Sequence, residues 1–386
     1  MGELKAGENQ STGRLSNLEA LRCVAMMMIV VLHFLGKGNV LGDLSKPEVS
    51  GYGYAAWVLE CFCIVAVNAY MLLSGYFLST SYFKLSRLIK LYLQIWFYSV
   101  LIGMGAYLFG IYPQEEFSLH YVLTLIFPIT MGHYWFMTAY VFLYIFMPIL
   151  SFAVRGMDKK QFILSLILLF TVFSLVKSIL PARVEMDGQG YDVLWYICVF
   201  MAAAYIRKFG FKPYEKRGMS LILYLAGVLL CFGELMLLHM VYIKTGALEH
   251  IMKISIEYNH FFPFIASLGI VGVFKELRLP DGFGKFINRI SPYTLGVYLL
   301  HENLGVRYAW QKLFGAADID SAGMLILRTV EAVIVVFTVG IIFDSIRNFI
   351  FKGLNKLLGA AKVYILIKEK VDNVDKLCIT NGQNRD

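Results

Sequence analysis

Apolar residues fill long runs of this chain, and short polar segments separate the runs. An α-helix needs about 20 apolar residues to cross the roughly 30 Å hydrocarbon core of a bilayer, and the runs approach that length. Runs such as "FILSLILLFTVF" do not alternate apolar and polar positions, which argues against the strands of a membrane barrel. The pattern predicts an all-α, polytopic bundle of about ten transmembrane helices. The predicted spans lie near 16–36, 54–78, 88–111, 134–151, 161–181, 190–206, 218–243, 257–274, 290–308 and 322–346.

One further apolar stretch, 117–131, is short and contains Pro128. Proline removes a backbone donor and interrupts a helix. We therefore interpret this stretch as a re-entrant or interfacial segment rather than as an eleventh span.

The composition agrees with a membrane protein. Of 386 residues, 58% are hydrophobic and 16% are charged, whereas soluble domains carry about 25% charged residues. The net charge is +8, but the basic residues are spread over the polar segments, so we predict no nucleic-acid binding. Six scattered cysteines suit neither a zinc site nor a disulfide framework, and no metal is predicted. The first apolar run lacks a small-residue cleavage site, so we interpret it as a retained span.

The distribution of Lys and Arg predicts the orientation. Cytoplasmic loops carry an excess of basic residues. With the N-terminus inside, the cytoplasmic segments hold 25 of the 35 Lys and Arg residues, and the outer loops hold 8. Both termini are therefore predicted to be cytoplasmic. The chain divides into an N-terminal segment (1–15), a transmembrane domain (16–350) and a basic tail (351–386) that is expected to lie along the inner leaflet.

Two ionisable residues in the first span, Arg22 and His33, stand out, because such groups are costly inside a membrane. They are eleven residues apart, which places them on one helix face and roughly 16 Å apart along the axis. The forked donors of Arg22 suit phosphate, and an imidazole suits removal of a hydroxyl proton. The alternative is that Arg22 reaches the inner headgroups and that His33 only packs between helices.

Five motifs follow one another along the chain. They are R-x10-H from Arg22 to His33, "VNAYMLLSGYFL" (67–78), "SRLIKLY" (86–92), "GHYWFMTAYVFLYIFMPIL" (132–150) and "SPYTLGVYLLHE" (291–302). With these motifs in this order, the sequence resembles the acyltransferase family 3 membrane proteins. That resemblance implies a ten-span enzyme of the bacterial cytoplasmic membrane. It also implies cytoplasmic acetyl-CoA, or another acyl-CoA, as a co-substrate with no permanently bound cofactor.

The resemblance implies roles for residues in or next to the first three predicted spans. His33 is expected to be the catalytic base and Arg22 a donor-binding residue. Arg87 and Lys90 could bind the phosphates of coenzyme A, or they could be orientation signals alone. Ser74 and Gly75 belong to the element that here reads "AYMLLSGYF". They could lie on the substrate path, or they could pack helices through their small size.

Residues on the predicted outer side are candidates for the substrate path. His133 and Trp135 open the fourth span, where an aromatic belt is the alternative explanation. His301 and Glu302 end "GVYLLHE" and could orient the acceptor. Five other buried ionisable residues are weaker candidates: Glu60, Glu234, His239, Arg328 and Glu331. Arg328 and Glu331 are spaced i and i+3, so we interpret them as a structural ion pair.

The predicted function is transfer of an acetyl group to a hydroxyl of an extracytoplasmic carbohydrate. The expected partners are an acyl-CoA, a cell-envelope glycan or lipid-linked saccharide as acceptor, and the lipid bilayer. The sequence leaves open whether transfer is direct or passes through an acetyl-histidine. The alternative function is a transporter of a saccharide intermediate or small polar solute, with Arg22 as an anion contact and His33 as a proton relay.

Overall fold

The computed structural model describes residues 15–180, 185–216 and 218–383, with side chains described as far as residue 379. Almost all of the predicted N-terminal segment, 1–15, lies outside the described residues. The described part is all-helical and holds no strand. Its helices are α1 (Ser16–Lys37), α2 (Gly51–Cys63), α3 (Val65–Leu78), α4 (Leu85–Leu108), α5 (Leu119–Ile126), α6 (Trp135–Gly156), α7 (Lys159–Phe170), α8 (Val176–Ile179), α9 (Val193–Phe209), α10 (Met219–Thr245), α11 (Phe261–Glu276), α12 (Asp281–Ile290), α13 (Thr294–His301), α14 (Ala322–Leu358) and α15 (Lys362–Gln383).

Polar side chains mark where several helices begin. Ser50, Ser118 and Ser321 each accept a hydrogen bond from the backbone N–H three residues later, at the starts of α2, α5 and α14. Asp158 does the same for α7 and forms a reciprocal capping box with Gln161. Such caps satisfy backbone donors that the first turn of a helix leaves unpaired. Short polar residues between the apolar runs therefore separate the helices.

Seven helical segments of the described chain are long and apolar enough to cross a membrane. Two are interrupted: α2 continues into α3 after Ile64, and α7 passes through a π-helical turn at 171–175 into α8. Three predicted spans, 190–206, 257–274 and 290–308, coincide with the shorter helices α9, α11 and α13. The count of about ten and the cytoplasmic termini remain predictions.

The stretch 117–131 contains only the eight-residue helix α5, followed by turns. At 1.5 Å per residue, α5 is about 12 Å long, which is too short to cross the hydrocarbon.

Helix α1 lies at the centre of the bundle and contacts α2, α3, α11, α12, α13 and α14. Most of its side chains are buried, as expected for a helix that is apolar on almost every face. By contrast, α7 and α10 expose large apolar side chains such as Leu164, Ile167 and Leu229, which suits a lipid-facing surface. We name the two ends of the bundle after the central helix: α1 begins at the α1-start side and ends at the α1-end side.

A buried ion cluster joins two segments near the α1-end side. Lys177 is 3% exposed and lies within the predicted span 161–181. Its ammonium group donates to Asp187 at 2.6 Å, to Glu257, and to Asn259 at 2.6 Å. The amide of Asn259 in turn donates to Asp187 at 2.6 Å. The cluster therefore ties the segment before α9 to the segment before α11.

The predicted boundary after residue 350 falls within a helix. Helix α14 continues through that position to Leu358. Helix α15 then returns to α4, where the Ser86 N–H donates to Asp375 at 3.3 Å. The last helix therefore contacts the first turn of α4.

Candidate functional site

A cavity of about 240 Å³ opens near the α1-start side, and we name it the Arg22 cavity. Three residues that the sequence analysis named separately line it together. They are Arg22 of α1, Ser74 of α3 and Arg87 of α4. Aromatic and aliphatic side chains form the remaining wall. The full lining is Arg22, Tyr70, Ser74, Arg87, Leu88, Leu91, Phe136, Met137, Tyr140, Tyr144 and Leu295.

Arg22 already has one anionic partner in this cavity. Its guanidinium is 3.0 Å from the carboxylate of Glu19, one turn earlier on α1, and lies 6.0 Å from the ring centroid of Tyr70. Sequence reasoning missed Glu19, although its i, i+3 spacing to Arg22 is a recognised ion-pair signal. Because Glu19 contacts the guanidinium through Nη1 alone, the other two nitrogens remain able to bind a second anion.

Other predicted residues of this region are placed differently. Lys90 is exposed on α4 and does not line the Arg22 cavity. Gly75 also lies off the cavity, because it faces α9: a Cβ atom there would come within 2.9 Å of the Ala203 Cβ and 3.1 Å of the Phe200 Cα. The structure therefore places Gly75 in helix packing, the alternative that its small size allowed.

A narrow cavity, the His33 cavity, continues from the Arg22 cavity along α1. The two share Tyr70, Phe136 and Leu295 in their walls. Its volume of about 10 Å³ is close to the space of a single water molecule, so His33 lies at a constriction. The full lining is Met26, Ile29, His33, Val67, Tyr70, Trp135, Phe136, Tyr258, Leu295 and Tyr298.

Hydrogen bonds determine which nitrogen of His33 carries the proton. His301 Nδ1 is 2.6 Å from the carbonyl oxygen of Val297, which can only accept, so this Nδ1 donates. In a neutral His301 the Nε2 atom then accepts, and His33 Nδ1, 2.9 Å away, donates to it. The Nε2 atom of His33 keeps its lone pair and has no hydrogen-bond partner within the described parts of the chain. That lone pair is what a general base requires.

The carboxylate of Glu302 lies next to His33 on its Nδ1 side, and Glu302 is 2% exposed. Its Oε2 is 3.2 Å from His33 Nδ1, and the ammonium group of Lys37 donates to both of its oxygens. Arg307 Nε is 3.7 Å from Oε1. The two cations lie beside the carboxylate, and the carboxylate can stabilise the imidazolium that forms when His33 takes a proton.

His133 lines neither the Arg22 cavity nor the His33 cavity. It contacts the segment that carries Glu302 and Arg307. Its Nδ1 is 2.8 Å from Ser99 Oγ, which itself donates to the Leu125 carbonyl, so Nδ1 is the donor. Its Nε2 accepts from the Leu304 N–H at 2.9 Å, and its carbonyl accepts from Arg307 at 2.6 Å. Burial, and secondarily Arg307, lowers the pKa of His133 to about 3. A neutral His133 therefore holds the turn that carries Glu302 and Arg307.

Trp135 belongs to an aromatic group at the far end of the His33 cavity. Its ring lies 5.6 Å from that of Tyr258, in a stacked arrangement, and 4.4 Å from that of Tyr191. Tyr191 is 47% exposed, so the group reaches the molecular surface. The three rings connect the surface with the constriction at His33.

Sequence reasoning found His33, His301 and Glu302 but missed the residues that hold them. Lys37 follows His33 by four residues, a helical spacing that could have indicated a shared face. Arg307 lies in an irregular segment and gives no periodic signal. Asn303 directly follows Glu302 and donates to the Tyr98 carbonyl at 3.0 Å and to the Tyr134 hydroxyl at 2.9 Å.

The weaker candidates lie away from both cavities. The predicted ion pair is confirmed, since Arg328 and Glu331 are 3.0 Å apart. Glu234 lies 3.3 Å from His260, and His239 Nδ1 bonds the Leu44 carbonyl at 2.9 Å. Glu60 is 8% exposed.

The side chains of His33, His301 and Glu302 are close enough to share a metal ion, with ligand atoms within 4.8 Å of one another. However, Lys37 bonds both oxygens of Glu302. An ammonium group in that position repels a divalent cation. The cluster therefore fits proton transfer better than metal binding.

Comparison with known families decides the class of protein. A family model described as an acyltransferase domain, that of acyltransferase family 3, matches residues 15–345. The chain belongs to acyltransferase family 3. No curated protein and no solved structure matches it.

Membership of acyltransferase family 3 makes the chain a membrane acyltransferase. The matched region runs from the start of α1 to within α14. It includes Arg22, His33, Glu302 and every residue of the two cavities. Helix α15 follows the matched region.

Proposed function

We propose that this family 3 acyltransferase moves an acetyl group from acetyl-CoA to a hydroxyl of an extracytoplasmic cell-envelope carbohydrate. The observation that carries the proposal is the lone pair of His33 Nε2, at a constriction between the Arg22 cavity and the aromatic group around Trp135. A base in that position can meet two substrates that approach from opposite sides of a membrane.

The donor would approach from the α1-start side, which the proposal places in the cytoplasm. Arg22 and Arg87 would hold its phosphate groups by charge-assisted hydrogen bonds. The Arg22 cavity, about 240 Å³, is smaller than the 300–1,000 Å³ of sites that enclose whole drug-sized ligands. It would therefore receive the acyl-bearing arm, while the nucleotide stays outside near Lys90.

The acceptor would approach past Trp135 and Tyr258 to the same constriction. His33 Nε2 removes the proton from the acceptor hydroxyl, whose oxygen attacks the thioester carbonyl. The carbon–sulfur bond breaks, and the departing thiolate takes the proton back from His33. In the two-step route, Nε2 itself attacks the thioester and the acceptor then removes the acetyl group. Both routes yield one ester and one coenzyme A thiol.

We further propose that the enzyme lies in a bacterial cytoplasmic membrane. The exposed apolar faces of α7 and α10 support a bilayer as its surroundings. A glycan, or a saccharide carried on a lipid, would supply the acceptor hydroxyl on the far side. The excess of basic residues in alternate loops supports the orientation.

The experiment measures transfer of labelled acetyl from acetyl-CoA in membranes that contain the envelope glycan fraction. His33→Gln should lower the rate by about 10²- to 10⁴-fold, the usual contribution of a general base. The matched control is His250→Gln, since His250 is exposed in a loop. The control should transfer acetyl at the rate of the unchanged chain.

Two outcomes would contradict the proposal. One is a His33→Gln variant that transfers acetyl as fast as the unchanged chain. The other is purified protein that neither transfers nor hydrolyses acetyl-CoA, yet moves a saccharide across vesicles. The second outcome would favour the transporter.

A further inference from the structure

A third cavity, of about 850 Å³, opens at the α1-end side, and we name it the α1-end cavity. It lies where α1 ends and is separate from the path described above, because neither His33 nor Trp135 lines it. Its volume is in the range of sites that hold small molecules. Its lining is Gly36, Lys37, Gly38, Asn39, Val40, Tyr52, Tyr308, Gln311, Lys312, Ala316, Ala317 and Ile319.

The charged side chains described in the wall of this cavity are both positive. Lys37 and Lys312 line it, and no carboxylate is among the described residues of its wall. Lys312 is exposed, whereas Lys37 is the same residue that donates to Glu302 behind His33. A cavity whose charged lining residues are cations attracts anions and raises their local concentration.

The uncharged polar groups suit a ligand with hydroxyl groups. Gln311 is 1% exposed, and its amide nitrogen already donates to the carbonyls of His33 and Arg307 at 3.2 and 2.8 Å. Its Oε1 is buried with no hydrogen-bond partner within the described residues. A buried acceptor without a donor is costly. A ligand hydroxyl that reached it would remove that cost.

Two tyrosines supply flat apolar surfaces beside these polar groups. Tyr308 is 63% exposed, and Lys37 Nζ lies 5.7 Å from its ring centroid. Tyr52 also lines the cavity. The face of an aromatic ring is electronegative and attracts the electropositive edge of a neighbouring group, such as the C–H bonds of a sugar ring.

We propose that the α1-end cavity binds an anionic sugar: a hydroxyl-bearing ring with a carboxylate or a phosphate group. Lys312 and Lys37 hold the anionic group, Gln311 accepts from a hydroxyl, and Tyr308 covers the ring. The binding is independent of acyl transfer. Its consequence for catalysis rests on the proposed function, because the ligand shares Lys37 with the carboxylate behind the catalytic base.

The test titrates the full chain in lipid nanodiscs with glucuronate, glucose 6-phosphate and glucose, with calorimetry as the measurement. Both anions should bind, and their affinities should fall as the salt concentration rises. Neutral glucose should bind less tightly. Binding of glucuronate alone would assign a carboxylate ligand, and binding of the phosphate alone would assign a phosphate ligand. Equal binding of glucose, or no binding of either anion, would overturn the proposal.

Two variants test the location of binding. Lys312→Gln should lower the affinity for the anion by about fivefold, the upper range for a solvent-exposed charge pair. Lys46→Gln is the matched control, since Lys46 is also exposed near the α1-end side and lies 3.7 Å from Asp43. An equal effect of the two variants would contradict the proposed site.

A third titration separates this proposal from the proposed function. His33→Gln should retain anion binding, because His33 does not line the α1-end cavity. Binding that persists in a chain without acetyl transfer would leave the cavity proposal standing on its own. Loss of binding in His33→Gln would contradict the independence of the two sites.

Discussion

At the scale of single residues, Glu302 is the residue around which the other charged groups of the site are arranged. It is nearly inaccessible to solvent and lies between Lys37, Arg307 and His33. A buried carboxylate is stable only when neighbouring charges and donors compensate for its lost hydration. Its neighbours provide this compensation, and the carboxylate in turn lies 3.2 Å from His33 Nδ1.

Glu302→Gln should slow acetyl transfer strongly while keeping the shape of the site. The amide cannot stabilise a protonated His33, and it leaves two partly buried cations without their counter-charge. We expect a rate loss of about 10²- to 10⁴-fold, as for a lost proton-transfer group. We also expect a lower melting temperature, because removing one partner of a buried pair costs about 3–5 kcal/mol. Transfer kinetics and thermal unfolding in detergent measure the two effects.

Glu331→Gln is the matched control, since Glu331 forms an exposed pair with Arg328 at 3.0 Å. An exposed pair of this kind contributes at most about 1 kcal/mol. Equal loss of activity in both variants would show that the carboxylate behind His33 has no special role.

The residues of the site could be predicted from sequence only one at a time. Arg22 and His33 share a face of one helix, so their alignment follows from helix geometry. The contact between His33 and His301 joins positions 268 residues apart, and no local spacing encodes it. Arg307 lies in an irregular segment, where hydrophobic periodicity gives no information.

At the scale of helices, small residues set how closely neighbours approach. Gly75 on α3 faces α9, where the Phe200 backbone and Ala203 leave no room for a side chain. Gly105 on α4 has no atom of another described residue within 4 Å of the position that a Cβ would take, beyond its chain neighbours and the backbone of its own helix. The two glycines therefore occupy opposite environments within helices.

Gly75→Ala should destabilise the protein, whereas Gly105→Ala should not. The added methyl group at position 75 would lie 2.9 Å from the Ala203 Cβ, and such overpacking costs about 1–3 kcal/mol. At position 105, alanine favours the helix by up to about 1 kcal/mol. Thermal unfolding of the two variants in the same detergent measures the difference. A melting temperature that falls equally in both would refute the close packing of α3 on α9.

Most helices were predictable because apolar runs of spanning length have few alternatives in a bilayer. The interruption between α2 and α3 was not, since no proline or polar residue marks Ile64. The short α13 was also not predicted, because the predicted span 290–308 extends past His301 while the helix ends there. Contacts of the following turn with His133 and Tyr134 determine that end, and those contacts are tertiary.

At the scale of the whole molecule, the Lys177 cluster joins distant segments at the α1-end side. Asp187 precedes α9 and Glu257 precedes α11, and one ammonium group contacts both. Tyr191 and Tyr258, which flank Trp135, belong to the same two segments. The cluster therefore holds in place the surface through which the acceptor is proposed to approach.

Lys177→Gln should lower the stability of the protein by about 3–5 kcal/mol, because it leaves buried carboxylates uncompensated. Thermal unfolding measures the loss. Lys244→Gln, in the exposed last turn of α10, is the control and should change the stability by less than about 0.5 kcal/mol. A Lys177 variant as stable as this control would contradict a structural role for the cluster.

The contact between α15 and α4 has a practical consequence for handling the protein. Asp375 meets the backbone of Ser86, the residue before Arg87, and Arg87 lines the Arg22 cavity. A fusion or affinity tag at the C-terminus would therefore extend from a helix that contacts the residue next to the proposed donor site. Truncation after α14 would free the first turn of α4 from this contact, although α15 itself lies beyond the acyltransferase domain.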